Sequence, residues 1–327
     1  MADTIMVVEA GGTGLSDLRL AHRPAPAAPG PEEVTVRMLA MAINPADLLL
    51  LEGRYGTRPP PPFVPGTEAV GRVVAVGAQA GIEVGRLVVP MPMGAWLEAM
   101  TIPAGAAVPL PDGVDVDQAA MLKVNPATAL AMLEDVVPLT PGDWVVQNAG
   151  NSAVAQNVVR IGQALGLRVA CVVRRPAAAA VPEGLGADAV LVDDGTGAPP
   201  TLPGGAQARL AFDAVGGPAT ERLAAAVADG GTVVTYGLLS GLAPRLSAQD
   251  LVFRGLTLRG FWLAEWFRTA PPERVAEVYG RLVGWLAEGR IGAQVAARYP
   301  LQDAAAAVAH AAREGRDGKV LLTVPEG

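Results

Sequence analysis

The sequence predicts an α/β protein in which a doubly wound parallel sheet is accompanied by a second, β-rich domain. Three observations carry this expectation. Between residues 143 and 263, short apolar strands alternate with helical or glycine-bounded segments, a pattern that forms a parallel sheet with right-handed crossovers. Residues 1 to 120 are instead rich in Gly and Pro, with short apolar runs between turn signals. The chain has 327 residues, 51% of them hydrophobic and 17% charged, which is enough for two domains and excludes disorder as the default state.

In the amino-terminal part, Val34–Ala40, Gly71–Val76 and Arg86–Val89 read as strands, punctuated by Pro29-Gly30-Pro31 and Val84-Gly85. The run Pro59–Pro62 cannot be helical, because each imino residue lacks a donor and fixes φ near −65°. A stiff extended loop of polyproline type is expected there. The central part opens with a strand at Asp143–Asn148 and a helix at Ser152–Leu165, whose apolar positions are Val154, Val158, Ile161 and Leu165. Strands follow at Arg168–Val173, Ala189–Val192, Leu210–Ala214, Thr232–Tyr236 and, as the last of the sheet, Thr257–Leu263. Helices are expected at Pro272–Glu288, with proline suited to its first turn, and at Asp303–Arg313. Lys319–Val324 then returns as a strand to the first domain.

Several function classes drop out on composition. The single cysteine, Cys171, cannot build an intrachain disulfide framework, which fits a reducing compartment. With 25 basic against 32 acidic residues, the chain is no obvious partner for nucleic acid or an anionic membrane. The longest apolar stretch, Met38–Leu51, is broken by Asn44, Pro45 and Asp47, short of the 18 or so apolar residues of a membrane span. The opening MADTIMVVEAGG has neither signal-peptide nor transit-peptide character. A cytoplasmic enzyme is expected.

The strongest local signal is VVQNAGNSAVAQNVV at 145–159, a strand–loop–helix followed by a second strand. In a dinucleotide-binding fold this turn seats a pyrophosphate on helix-terminal amides, which requires small side chains. Gly150, Ala153 and Ala155 occupy the small positions, so the glycine fingerprint is degraded. At the end of the second strand stand Arg174 and Arg175, where enzymes that use NAD carry an acidic residue for the ribose hydroxyls. Guanidinium groups match a 2′-phosphate in charge and geometry, so NADPH is the expected cofactor.

AAMLKVNPATALAML (119–133), QNAGNSAVAQ (147–156), GLRVACVVRRP (166–176), YGLLSG (236–241), LRGFWLAEW (258–266) and INPADLLLLEGRYG (43–56) together resemble the medium-chain dehydrogenase/reductase superfamily. Within it the chain is similar to the mitochondrial-type 2-enoyl thioester reductases. The resemblance implies a Rossmann dinucleotide-binding domain over 124–262 and a GroES-like catalytic domain made of 1–123 and 263–327. It also implies a homodimer joined through the edge of the Thr257–Leu263 strand.

Metal content separates the branches of this superfamily. The zinc enzymes of this superfamily hold their metal with Cys and His, and a tetrahedral site needs three or four such ligands. One Cys and two His, His22 and His310, far apart in sequence, do not supply it. The Gly-His-Glu element of the zinc enzymes reads Gly66-Thr67-Glu68 here. No metal is expected.

Without a metal, the enolate formed by hydride addition to an enoyl thioester needs hydrogen-bond donors and then a proton at the α-carbon. A phenol of pKa near 10 can supply both. The resemblance assigns this role to Tyr55, one of only four tyrosines. It further implies cofactor contacts from Asn125, from Asn151, Ser152, Ala153 and Val154, and from Arg174 and Arg175. Tyr236, Gly237, Leu238 and Leu239, then Phe261, Trp262 and Leu263, and finally Lys319 complete that set. Asn44 and Trp262 are candidate substrate contacts, and Asn44 with Asp47 could either orient the Tyr55 loop or cap a local turn.

Two departures matter. Relatives carry Gly-Val-Gly where this chain has Ala153-Val154-Ala155, and Pro65-Gly66-Thr67-Glu68-Ala69 is closer to the quinone reductases. The expected activity is NADPH-dependent reduction of the 2,3-double bond of trans-2-enoyl-CoA or acyl-carrier thioesters. The alternatives are an NADPH:quinone or generic enone reductase of the same fold, and a non-catalytic NADPH-binding sensor.

Overall fold

The computed structural model describes residues 3–316 and 318–325. Two compact units emerge, Met1–Val124 with Arg281–Gly327, and Asn125–Gly280.

The first unit begins with the hairpin β1 (Thr4–Ala10) and β2 (Leu18–Pro24), followed by β3 (Glu33–Ala42) and the helix α1 (Pro45–Leu51). Then come β4 (Val70–Val76), β5 (Leu87–Pro90), β6 (Ala99–Pro103), β7 (Ala107–Pro109) and the one-turn α2 (Val116–Ala119). β3 is the central strand. It pairs with both β4 and β6 antiparallel, and its second half is buried on both faces. Such a strand reads as a nearly unbroken apolar run rather than an alternation.

The second unit holds α3 (Asn125–Glu134), β8 (Trp144–Gln147), α4 (Ala153–Ala164), β9 (Arg168–Val173), α5 (Ala180–Gly184) and β10 (Ala189–Val192). β11 (Ala208–Asp213), α6 (Pro218–Ala224), β12 (Val227–Thr235), α7 (Ala248–Val252), β13 (Thr257–Gly260) and α8 (Leu263–Thr269) complete it. Its six strands are all parallel, in the order β10-β9-β8-β11-β12-β13. The order reverses between β8 and β11, the doubly wound Rossmann arrangement, in which ligands bind beyond the carboxyl ends of the strands at that switch.

The boundary between units falls inside α9 (Pro272–Ala287), after which β14 (Val295–Pro300), α10 (Ala304–Ala311) and β15 (Lys319–Thr323) return to the first unit. β15 pairs antiparallel with β3, Leu321 opposite Ala42. α10 buries Ala304, Ala307, Val308 and Ala311 in the same core as Met38, Trp96 and Leu322.

Two sequence expectations change here. The last strand of the parallel sheet was expected to reach Leu263 but ends at Gly260: the Phe261 N–H still bonds Thr235 O at 2.9 Å, and Leu263 already opens α8. The helix is held by Trp266, whose Nε1 donates to Asp135 at 2.8 Å. Residues 263–280 group with the second unit, not with the first. The reason is this same anchorage, with Phe267 stacked on Tyr279 and Arg274 paired to Glu134 and Asp135. The proline run is non-helical as expected, with the Pro61–Pro62 peptide cis.

Candidate active site

In the first unit the chemistry-bearing residues gather around the start of α1. Proline at the first turn suits a helix start, and the Asp47 carboxylate reaches back to accept the Asn44 N–H at 2.7 Å. The helix stops at Glu52, and Gly53 takes φ +66°, the left-handed conformation that glycine supplies without a Cβ clash. The chain then folds back, so that both Arg54 N–H and Tyr55 N–H donate to Leu49 O, at 2.8 and 3.1 Å. Tyr55 is thereby tied to the carboxyl end of α1, partly buried against the core.

Behind the helix lies a buried ionic cluster. Asn44 Nδ2 donates to Glu68 Oε1 at 2.6 Å and to Thr67 Oγ1 at 3.2 Å, while Thr67 Oγ1 donates to Asp47 at 3.1 Å. The Lys319 ammonium donates to Asn44 Oδ1. Lys123 Nζ donates to Thr67 O at 2.6 Å, and the second oxygen of Glu68 accepts the Val124 N–H at 2.8 Å. Asp47, Glu68, Lys123 and Lys319 are all no more than 5% exposed.

Burial penalises every charge in this group. It lifts the Asp47 carboxyl to about 6, with the Asn44 N–H and Lys319 opposing it, and it also raises Glu68. It lowers both lysines to about 8, against the pull of Glu68. Asp47 Oδ1 has no partner among the described residues.

The second unit builds the candidate nucleotide loop. β8 ends at Gln147, the chain turns through Asn148–Asn151, and α4 starts after Ser152, whose Oγ accepts Ala155 N–H at 3.3 Å. The turn is tight. A side chain on Gly150 would meet Cys171 Cβ at 2.7 Å, and Ala149 is held at φ +48°, a region that costs a non-glycine residue roughly 1–2 kcal/mol. Ala155 is fully buried and Ala153 only half, so only the Ala153 methyl stands near the surface of the turn.

Arg174 and Arg175 are exposed at the end of β9. Tyr236–Leu239 follow β12, with Leu238 and Leu239 exposed, and Leu239 N–H bonds Ala214 O at 3.1 Å. Tyr236 keeps its phenol inside the unit. Burial pushes it up, while the Ser152 hydroxyl beside it works the other way. Asn125 is buried at the start of α3, and Trp262, 36% exposed, precedes α8.

Of the predicted site residues, then, Tyr55, Asn44 and Lys319 belong to the first unit and the rest to the second. Within the first, Asn44 and Lys319 touch each other. Within the second, Ser152 lies beside Tyr236, whose buried hydroxyl has no hydrogen-bond partner among the described residues, and Arg174 and Arg175 follow β9. Sequence reasoning gave Glu68 no role beyond its place beside the missing histidine, and it missed Lys123. A signal for both lysines was present: each is a lone charge against an apolar run, AAMLKV and KVLLTV.

The residues present do not suit a catalytic zinc ion. No group of three or more His, Cys, Asp or Glu able to hold a metal occurs among the described residues. The buried carboxylates of this cluster, Asp47 and Glu68, lie among ammonium groups, and burial lifts the Cys171 thiol to about 12, far from the thiolate that zinc requires. The loop after β8 does suit a dinucleotide: its turn has no room for a side chain at Gly150, and two exposed arginines follow β9, the next strand of the unit.

Comparison with known proteins agrees with this geometry. Residues 30–112 match the model of the alcohol dehydrogenase GroES-like domain, and residues 153–280 that of the zinc-binding dehydrogenases. The rat protein named mitochondrial enoyl-[acyl-carrier-protein] reductase is 38% identical over 83% of this chain and 75% of its own. The human protein of the same name is 37% identical over 89% and 81%. Among solved structures, the complex of Etr1p with NADP and crotonyl-CoA matches at TM-score 0.88 and 26% identity, covering 99% of this chain and 100% of that one. A Bacillus thuringiensis protein provisionally named NADPH:quinone reductase matches at TM-score 0.89 and 29% identity, over 99% and 100%. The chain therefore belongs to the enoyl-[acyl-carrier-protein] reductase family of the medium-chain dehydrogenase/reductase superfamily.

Proposed function

We propose that this protein reduces the 2,3-double bond of enoyl thioesters with NADPH, Tyr55 delivering the proton to the α-carbon. When bound, the cofactor supplies the hydride that goes to the β-carbon. Arg174 and Arg175 would hold its 2′-phosphate. Asn151–Val154 would meet its pyrophosphate, and Asn125, Tyr236–Leu239, Phe261–Leu263 and Lys319 form the rest of the proposed set. Asn44 and Trp262 are proposed substrate contacts.

The observation that carries the reading is the tethered tyrosine. In a chain whose residues do not suit zinc, Tyr55 is fixed by its own N–H to Leu49 O at 3.1 Å, on a helix whose other end is locked by buried hydrogen bonds. A phenol remains protonated at neutral pH and can both donate to an enolate oxygen and protonate carbon. A quinone reductase is the second reading. It is favoured by the Gly66-Thr67-Glu68-Ala69 run and by the likeness to the Bacillus thuringiensis protein.

The test measures NADPH oxidation with crotonyl-CoA, with longer 2-enoyl-CoA esters, and with benzoquinone. Turnover of the thioesters, and a fall in kcat of about 10²-fold in Tyr55→Phe, are expected. Turnover of quinone alone would replace the reading with the second one. NADPH binding without turnover of any acceptor would make the protein a sensor. Replacing Arg174 and Arg175 by Ala should raise KM for NADPH far more than for NADH; equal effects would remove the 2′-phosphate assignment.

Two further parts of the proposal concern assembly and setting. A homodimer would form across β13, the outermost strand of its sheet, where Leu251, Val252 and Phe253 of the preceding segment are exposed. Analytical ultracentrifugation tests it. The relatives are named mitochondrial, whereas a cytoplasmic setting is proposed for this chain; no described helix is long and apolar enough to cross a membrane.

A further inference from the structure

Tyr55 stands in a loop that is tied at both ends. At its start Arg54 and Tyr55 donate their N–H groups to Leu49 O, and at its end the buried Phe63 exchanges two backbone hydrogen bonds with Ala10, at 2.8 and 3.1 Å. Between these ties the chain reads Gly56-Thr57-Arg58 and then four prolines, Pro59–Pro62. Each proline fixes its own φ, and the first also restricts Arg58, which must keep an extended backbone. The loop is therefore stiff. It holds Arg58 exposed, with its Cα no more than about 11 Å from that of Tyr55, the reach of three extended residues.

The other arginines of residues 1–124 are all engaged. Arg19 and Arg23 hold Glu9, Arg54 holds Glu52, and Arg86 holds Glu83 and Asp112. Arg37 and Arg72 donate to the carbonyls of Pro325 and Gly85. Arg58 alone in this stretch has no side-chain hydrogen bond or ion pair among the described residues. No acidic residue occurs between Glu52 and Glu68, so the loop that carries Tyr55 offers a cation and nothing to neutralise it.

We propose that Arg58 is a specificity-determining residue that binds the phosphate at the far end of the substrate's pantetheine arm. Enoyl thioesters are carried on such an arm by coenzyme A and by acyl carrier proteins alike; quinones are not. A guanidinium matches a phosphate in charge and in hydrogen-bond geometry. One held on stiff backbone also loses less freedom on binding. The inference rests on the thioester reading given above and names the part of the substrate, remote from the double bond, that is recognised. An arginine that only kept the loop hydrated would not tell substrates apart by their phosphate.

The experiment compares three esters: crotonyl-CoA, crotonyl-pantetheine, which lacks phosphate, and crotonyl-acyl carrier protein. KM and kcat are measured for the unaltered protein, for Arg58→Ala and Arg58→Lys, and for Arg72→Ala as a control for net charge. Kd is measured by calorimetry with NADP+ present, so that binding is read without turnover. Arg58→Ala is expected to raise KM and Kd about tenfold for the two phosphate-bearing esters and less than about twofold for crotonyl-pantetheine, with kcat within about twofold. Added salt should weaken crotonyl-CoA binding more in the unaltered protein than in Arg58→Ala. Arg58→Lys should recover part of the loss, and Arg72→Ala should leave every value within about twofold.

Equal losses with and without phosphate overturn the inference and make Arg58 a support of the loop. No loss with any ester overturns it as well. A loss confined to crotonyl-CoA, or to the carrier-bound ester, overturns the assignment to the shared arm: the contact would then lie with a phosphate that coenzyme A alone carries, or with the carrier's protein surface. Crotonyl-CoA that is bound through Arg58 but not reduced removes the activity proposed above and leaves this inference standing. Failure to bind any of the esters removes both.

Discussion

The two units each bury carboxylate in their interior, and they do so in opposite ways. In the first, Asp47 and Glu68 sit among Lys123 and Lys319, and burial moves all four of their proton affinities toward neutrality. In the second, Asp213 is fully buried with neutral donors around it: Asn148 Nδ2 at 2.6 Å, the N–H groups of Val215 and Gly216 at 3.0 Å, and the Thr220 hydroxyl at 2.6 Å. The first arrangement couples charges to one another, so each depends on the protonation of its neighbours. The second ties off the end of β11 and the turn before α6. A buried anion held by dipoles is scaffold; one held by buried cations is poised to respond to charge nearby.

Glu68→Gln is the sharpest way to break this contrast. It keeps the shape and leaves two ammonium groups facing one fewer anion, and removing one partner from a buried charge set costs about 3–5 kcal/mol. Urea denaturation should show that loss; a change under 1 kcal/mol would mean that water reaches the cluster.

A pH series separates the units next. The Asp47 carboxyl titrates near 6 in the folded protein against an ordinary 3.8. The folded state therefore binds the extra proton between those values. The stability this contributes is complete below about pH 4 and is lost as pH rises through 6. A rise of about two pH units is worth about 3 kcal/mol. Asp47→Asn should flatten that part of the stability profile, and an unchanged slope would show that Asp47 is ionised throughout.

The smallest effect is expected at the carboxylate ringed by neutral donors. Asp213→Asn retains an oxygen for Asn148, Val215 and Gly216, and the Thr220 hydroxyl can turn to accept from the new amide. A cost of about 1 kcal/mol follows, close to that of one ordinary hydrogen bond. A loss as large as that of Glu68→Gln would erase the distinction between the two sites.

Much of the second unit was legible beforehand. Arg168–Val173 and Ala189–Val192 fall on their observed bounds, and the helix after Ser152 differs by a residue at each end. Buried parallel strands and an amphipathic crossover helix leave strong periodic signals. The hairpin of β1 and β2 left a weaker one, since β2 is largely exposed and mixes charge with apolar residues. β13 was overextended because Phe261, Trp262 and Leu263 continue an apolar run. Only the bond from Trp266 to Asp135, 131 residues earlier, shows why the chain leaves the sheet there.

By itself the sequence determined the fold class and the strand–loop–helix that opens the parallel sheet, and it offered the candidate arginines and tyrosine, because each is written in residues close together or in a count of residue types. Only the tertiary structure decided that Asn44, Glu68, Lys123 and Lys319 share one buried cluster. Lys319 lies 275 residues from Asn44, and pairing of β15 with β3 is what brings that stretch of chain alongside. Charges this far apart in sequence carry no mutual pattern; their meeting is set by which strands find each other.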